Sequence, residues 1–308
     1  METAAPENIL NYVYQKEENR KERLDLFLAE ATGHKRSNIQ NLIRRNHVLV
    51  NNEAVKCGFL LRYKDEIEVQ LPAPINHRLE PEDLPLEIIY QDQDLAVINK
   101  PAGMVVHPAL GHSNKTLVNA LLFHIKELSD ISQDNRLGIV HRLDKDTEGL
   151  MVVAKNNETH FSLTTQFKNR KVTKKYFALV HGVVKEDYFE IKTPIGRDPT
   201  DRKKFKVLTE NKNLKTRDAL TLVKVVERFQ HKTLLEVEIK TGRTHQIRVH
   251  LLSRGFPIVG DTDYTFKKIQ EQVVGQRLQA YYLSFEHPRT NEKLEFYLPL
   301  SERIKESI

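Results

Sequence analysis

The chain has 308 residues, enough for about two domains, and carries 48 Lys and Arg against 42 Asp and Glu for a formal net charge of +6. With 39% hydrophobic and 29% charged residues, it has the composition of packed cores, not of a disordered or fibrous chain. No apolar run approaches the roughly 20 residues of a membrane helix, the opening METAAPEN lacks the marks of a secretory signal, and the single Cys57 excludes a disulfide framework or a thiolate metal site.

In chain order, Leu24, Phe27, Leu28 and Ala31 recur at helical spacing, and Gly33 offers a stop. Ser37-Asn38-Ile39-Gln40 has the pattern of a capping box. The helix it opens puts Ile39, Leu42 and Ile43 on one face and leaves Lys35, Arg36, Arg44 and Arg45 near its ends. Val48–Val50 and Glu66–Val69 read as short strands, with Asn51-Asn52 turning between them. The stretch PAPINHRLEPEDLP is too rich in proline for a helix interior or a central strand, so 73–84 reads as an extended linker. It divides a small unit, 17–72, from a large one, 85–302. In the large unit, strand-like runs at 95–98, 149–154, 176–181 and 234–239 alternate with helical stretches at 116–126 and 158–169. They lack a regular βαβ period, so the fold class expected is α+β with a mostly antiparallel mixed sheet.

The basic residues fall in three clusters: Lys35 to Arg45, Lys168 to Lys175, and Arg202 to Lys206. They suit a polyanion, nucleic acid first, or else three solvated faces. Two segments concentrate polar chemistry. In the first, Gly138 to Lys155, two apolar strands flank a loop holding His141, Arg142, Asp144, Lys145, Asp146 and Thr147. The second, Ile239 to Leu251, passes from a strand end at Thr241-Gly242 into a helix from Thr244. Its first amides and Arg243 would make an anion site, for a phosphate or for a carboxylate such as Asp144. Between them stands Tyr176, either a stacking platform for a base or simply core. A metal site is not expected: Arg142 and Lys145 interrupt the ligands around Asp144, and Arg243 and Arg248 flank His245 and His250. There is no nucleophile elbow, phosphate loop or dinucleotide fingerprint.

Residues 20–71 resemble the S4 RNA-binding domain through Arg23-Leu24-Asp25, Lys35-Arg36-Ser37, Ile39-Gln40, Leu42-Ile43, Val48 to Asn51 and Asp65-Glu66-Ile67. Two departures are Asn46-His47 and Lys64, where that family usually has glycine. Residues 84–300 resemble the RluA-type pseudouridine synthases. The likeness rests on Asn99 to Gly103, Val106-His107-Pro108, Thr116 to Leu121, His141-Arg142-Leu143-Asp144-x-x-Thr147-x-Gly149-Leu150, Lys175-Tyr176 and Thr241 to Leu251. Glu148 stands where Ser or Thr is usual.

The resemblance implies that uridine in RNA is isomerised to pseudouridine without a cofactor, with Asp144 as the essential catalytic residue. Arg243 is the candidate guanidinium partner that keeps Asp144 charged, and Tyr176 would stack on the uracil. Arg142, two residues before Asp144, would face the same way in an extended segment and touch the RNA beside the vacated position. Lys35, Arg36, Arg44 and Arg45 would grip phosphates. The expected partner is large-subunit ribosomal RNA or its assembly precursor, in the cytoplasm and not at a membrane. The alternatives are another RNA such as tRNA, or a non-catalytic assembly factor on the same fold.

Overall fold

The computed structural model describes residues 8–16, 22–33, 36–71, 79–108, 114–130, 137–208, 215–266, 268–269 and 273–308. The chain divides into two units, 1–78 and 79–308. Lys35 and linker residues 73–78 lie outside the described residues.

The first unit runs β1 (Asn8–Val13), β2 (Glu22–Arg23), α1 (Leu24–Thr32), α2 (Arg36–Arg44), β3 (Val48–Val50), β4 (Glu53–Ala54), β5 (Leu60–Leu61) and β6 (Glu66–Leu71). An antiparallel sheet in the order β1-β6-β3-β4 packs on the two helices. Leu24 and Leu28 of α1, Ile39 and Ile43 of α2, and Val48, Val50, Ile67 and Val69 of the sheet close its core around Tyr14. Helix α1 stops at Gly33, which takes the left-handed conformation (φ 70°). Helix α2 starts at Arg36, one residue ahead of the predicted Ser37. The Ser37 side chain, on which the expected capping box depends, lies outside the described residues, and the Gln40 side-chain amide donates to the Asp25 carboxylate at 2.6 Å. Asn46 (φ 60°) and Lys64 (φ 68°) are both left-handed, so the turns survive at the positions where S4 domains usually carry glycine. Asn51 and Asn52, with consecutive positive φ, form the tight β3–β4 hairpin.

The second unit is built on a nine-stranded sheet. Its strands are β7 (Glu87–Gln91), β8 (Leu95–Lys100), β9 (Glu148–Ala154), β10 (Thr173–His181), β11 (Tyr188–Lys192), β15 (Leu220–Arg228), β16 (Lys232–Ile239), β17 (Leu278–Glu286) and β18 (Lys293–Tyr297). A separate three-stranded sheet holds β12 (Ile195–Arg197), β13 (Phe205–Val207) and β14 (Thr216–Arg217). The helices are α3 (Leu117–His124), α4 (Asn157–Lys168), α5 (Gln246–Ser253) and α6 (Glu302–Lys305). The large sheet runs β11-β15-β16-β10-β17-β9-β8-β7, with β18 also on β17. Only β9 and β17 pair in parallel, so the expected mostly antiparallel α+β architecture is present. Two N-caps follow side-chain chemistry: Asn119 accepts from the Thr116 amide ahead of α3, and Asn156 accepts from the Thr159 amide ahead of α4.

One rung of this sheet positions the site. Ala280 of β17 pairs with Gly149 on one side and with Tyr176 on the other. Gly149 sits at φ 120°, and a Cβ there would stand 2.3 Å from the Ala280 carbonyl oxygen. Only glycine lets β9 begin so close to β17. The polar loop that precedes β9 is thereby delivered beside the strand that carries Tyr176.

Candidate active site

Two ties hold the loop between Val140 and Glu148 in shape. The Thr147 amide closes a turn on the Asp144 carbonyl at 3.2 Å, and Gln276 donates to the Thr147 hydroxyl at 2.6 Å. The fully buried Lys100 donates to the carbonyls of Pro101, Met104 and Lys145 at 2.8 to 2.9 Å, pinning this loop to the turn at 101–104. Burial pulls its pKa down to about 7, yet three carbonyl acceptors are all served only by an ammonium. The sequence pattern marked Lys100 but gave it no role.

Asp144 emerges from this loop 20% exposed. Its Oδ2 lies 3.3 Å from Nη1 of Arg248, and its Oδ1 lies 3.9 Å from Nε2 of His245. The guanidinium that meets Asp144 is therefore Arg248, which corrects the expectation of Arg243. Arg243 precedes α5, where its Nε donates to the Asp218 carbonyl at 3.0 Å and its amide donates to the Gln246 side chain at 3.0 Å. The predicted anion site at the helix start is likewise changed. The helix begins at Gln246 after His245 in a left-handed conformation, and the Gln246 side chain takes the Arg243 amide and the Thr241 hydroxyl.

Arg248 lies inside α5 and is only 7% exposed. Burial alone would discourage its charge, but a two-pronged pair with Asp261 (2.6 and 2.8 Å) and a contact to Asp263 (3.0 Å) more than offset that. The Tyr264 ring lies 4.7 Å from the guanidinium carbon. Tyr264 also bonds Nδ1 of His245 at 2.7 Å. Burial lowers the His245 pKa, with Asp144 opposing. Arg248, Asp261 and Asp263 were missed as site residues. The available signal was the pair of acids in Gly260-Asp261-Thr262-Asp263, too short a pattern to assign a partner 13 residues away.

Tyr176 is buried, and burial, reinforced by the Asp144 charge, raises its phenol pKa, so the ring is neutral. It lines a cavity of about 580 Å³ together with Asp144, Arg142, Arg243, His245 and Arg248. Lys168, Arg170, Lys174 and Lys240 complete its cationic wall, and Asp144 is the only carboxylate among the lining residues. A cavity of this size accommodates a nucleoside and draws in an anionic chain.

His141 takes no part as a ligand. It stacks on Phe167 at 4.5 Å, its Nε2 accepts the Val152 amide at 3.0 Å, and burial lowers its pKa to about 3. His250 is buried as well, bonded to the Thr221 hydroxyl at 2.8 Å. Glu148 turns away from the cavity and accepts from the Ser301 hydroxyl at 2.6 Å. Among the described residues, the cluster Asp92, Asp94 and His287 has the spacing for a cation, but Arg289, Asn156 and backbone amides already serve its oxygens.

In the first unit, Arg44 and Arg45 are exposed. Arg36 is bound to the Asp25 carboxylate at 2.9 Å, so it is part of the framework as well as of the basic surface.

The description RNA pseudouridylate synthase matches this chain as a family model over residues 94–253, and the S4 domain matches over 22–67. The chain is 46% identical over 293 residues to the uncharacterized RNA pseudouridine synthase YlyB of Bacillus subtilis (strain 168), covering 95% of each. It is 36% identical to the ribosomal large subunit pseudouridine synthase D of Pseudomonas aeruginosa, covering 91% of this chain and 89% of the other. A solved structure of human RNA pseudouridylate synthase domain containing 1 superposes with a TM-score of 0.60 at 28% identity, over 71% of this chain and 84% of that one.

Proposed function

The chain belongs to the RNA pseudouridylate synthase family and carries an S4 domain, and from that premise we propose that it isomerises uridines of large-subunit ribosomal RNA in the cytoplasm, with Asp144 as the reacting group and no cofactor. The observation that carries the chemistry is a lone carboxylate, backed by Arg248, in a cationic cavity that it shares with a buried tyrosine. The RNA target is supported by relatives that carry the name ribosomal large subunit pseudouridine synthase D at 36% and 38% identity.

The reaction breaks the N1–C1′ bond, turns the uracil and joins C5 to C1′; the C5 proton leaves to solvent and N1 regains one. Asp144 acts at the ribose as base or nucleophile, and the fixed guanidinium of Arg248 is paired with it at 3.3 Å in a partly desolvated site. Tyr176 offers its ring face to the uracil while the base is free to turn. The target nucleotide leaves its stack at a cost of a few kcal/mol. Arg142, exposed at the cavity, contacts the RNA beside the gap, and the exposed Arg44 and Arg45 grip phosphates.

The test is tritium release from ribosomal RNA labelled at uridine C5, followed by mapping of the modified positions. Wild-type protein is expected to release tritium, and Asp144→Asn is expected to lose about 10⁴-fold in rate while still binding RNA. Appreciable turnover by Asp144→Asn would overturn the assignment.

A further inference from the structure

Lys174 differs from the other cations of the cavity. Arg248 is tied to Asp261, Arg243 to the Asp218 carbonyl and Lys240 to Glu238. Arg142, Lys168 and Arg170 stand exposed in water. Lys174 is half-buried, and its ammonium forms no hydrogen bond or ion pair with any described residue. Its Nζ hangs 5.2 Å from the centre of the Phe167 ring, which is itself stacked on His141. An ammonium drawn partly out of water without a counter-ion raises the free energy of the resting protein, and burial lowers its pKa to about 8.

Its position suggests what relieves this. Lys174 lies two residues before Tyr176 on β10, so both face the cavity, roughly 6.6 Å apart along the strand. Lys175 between them points to the other face, toward Glu236 and Tyr282. Gly242 lies beside it in the same cavity lining; a Cβ there would stand 3.9 Å from Lys174 Nζ, so the ammonium sits next to the turn that leads into α5. The spacing from Tyr176 to Lys174 is about that from a pyrimidine ring to the phosphate of its own nucleotide.

We propose that Lys174 binds a phosphodiester flanking the uridine whose base enters the cavity, and so sets the depth to which that nucleotide is drawn in. A phosphodiester suits the site better than a uracil oxygen. It is anionic at every stage, so it offsets the unpaired charge from the moment of binding, whereas the base carries charge only in passing. The inference rests on the reading that a uridine of RNA enters here.

The experiment uses the full-length protein and a synthetic stem–loop of large-subunit ribosomal RNA centred on a mapped uridine. A single neutral methylphosphonate replaces either the 5′ or the 3′ linkage of that uridine. Neutralising one of the two is expected to weaken wild-type binding about tenfold. Lys174→Met is expected to bind the unmodified RNA about tenfold more weakly, with a salt slope shallower by about 0.7, and to lose nothing further with that linkage neutral. Lys174→Arg should restore both. Binding by Lys174→Met equal to wild type, or an equal methylphosphonate penalty in both proteins, would overturn the proposal. So would a loss confined to the single-turnover rate at unchanged Kd, which would assign the ammonium to the base. If Lys174→Met does not fold, the same cycle is run on Lys174→Gln. Tritium release by wild type from the same stem–loop reports on the uridine reading separately, so turnover without coupling sinks the Lys174 proposal alone.

Discussion

Asp25 in the first unit and Asp144 in the second are both carboxylates facing arginine, and they are held very differently. Asp25 is fully buried and accepts bonds from Arg23, Arg36 and Gln40 on its two oxygens. Burial would raise its pKa, but these donors outweigh it and bring it to about 2. Asp144 keeps 20% exposure and meets its arginine at 3.3 Å, and among the described residues no donor lies within bonding distance of Oδ1, from which His245 Nε2 stands 3.9 Å away. A carboxylate whose lone pairs are all engaged holds a fold together. One with an unengaged oxygen facing a cavity is available to react.

The contrast can be broken most severely at Arg248. Arg248→Met removes the guanidinium from Asp144 and also strands the fully buried Asp261. Tritium release should fall by about 10³-fold or more, and thermal unfolding should show a loss of about 3 kcal/mol. A stable, active Arg248→Met protein would show that Asp144 needs no counter-ion.

Asp25→Ala tests the other side. It should destabilise the first unit by about 2 kcal/mol and weaken binding to ribosomal RNA, with tritium release from a short stem–loop retained. Because the folded pKa of Asp25 lies near 2, below the unfolded value of about 3.9, its contribution is full above pH 4 and fades as pH falls through 2. Proteolysis of residues 22–71 in the full chain between pH 4 and pH 2 should show that dependence in wild type and not in Asp25→Ala.

The smallest effect is expected at Arg243. With its Nε on a backbone carbonyl and its amide on Gln246, Arg243→Lys should cost about threefold in RNA affinity by filter binding. A loss in rate with affinity intact would instead restore Arg243 as the working partner of Asp144.

Much of this was readable from local pattern. The first helix ended at its glycine, the Asn-Asn turn formed, and the apolar run after the Asp144 loop became β9, whereas the apolar run before the loop forms no strand and only an isolated bridge from Ile139 to Val153. Strand β1 was not readable, since Ile9 and Val13 are both 51% exposed and blur the alternation that marks a half-buried strand. Strand β17 was hidden for the opposite reason: eight of its nine residues, Gln279 and Ser284 included, are not exposed, which leaves no polar face to set a period. The partner of Asp144 was lost at longer range. Arg248 sits in a helix whose residues 246 to 251 are all buried, and helical spacing cannot say which buried position faces a loop 104 residues earlier. Proximity in sequence to the strand end favoured Arg243, and tertiary packing chose the residue five positions on.

Ala280 borders Gly149 and Tyr176 on the same rung, so the gap between the acid-bearing loop and the aromatic platform is fixed by peptide-to-peptide bonding across three strands. Enlarging or trimming side chains elsewhere in the core would leave that gauge unchanged. An engineer seeking to reset it for a bulkier nucleoside would have to insert or delete a residue in the chain or replace Gly149 itself, whose missing Cβ permits the close approach.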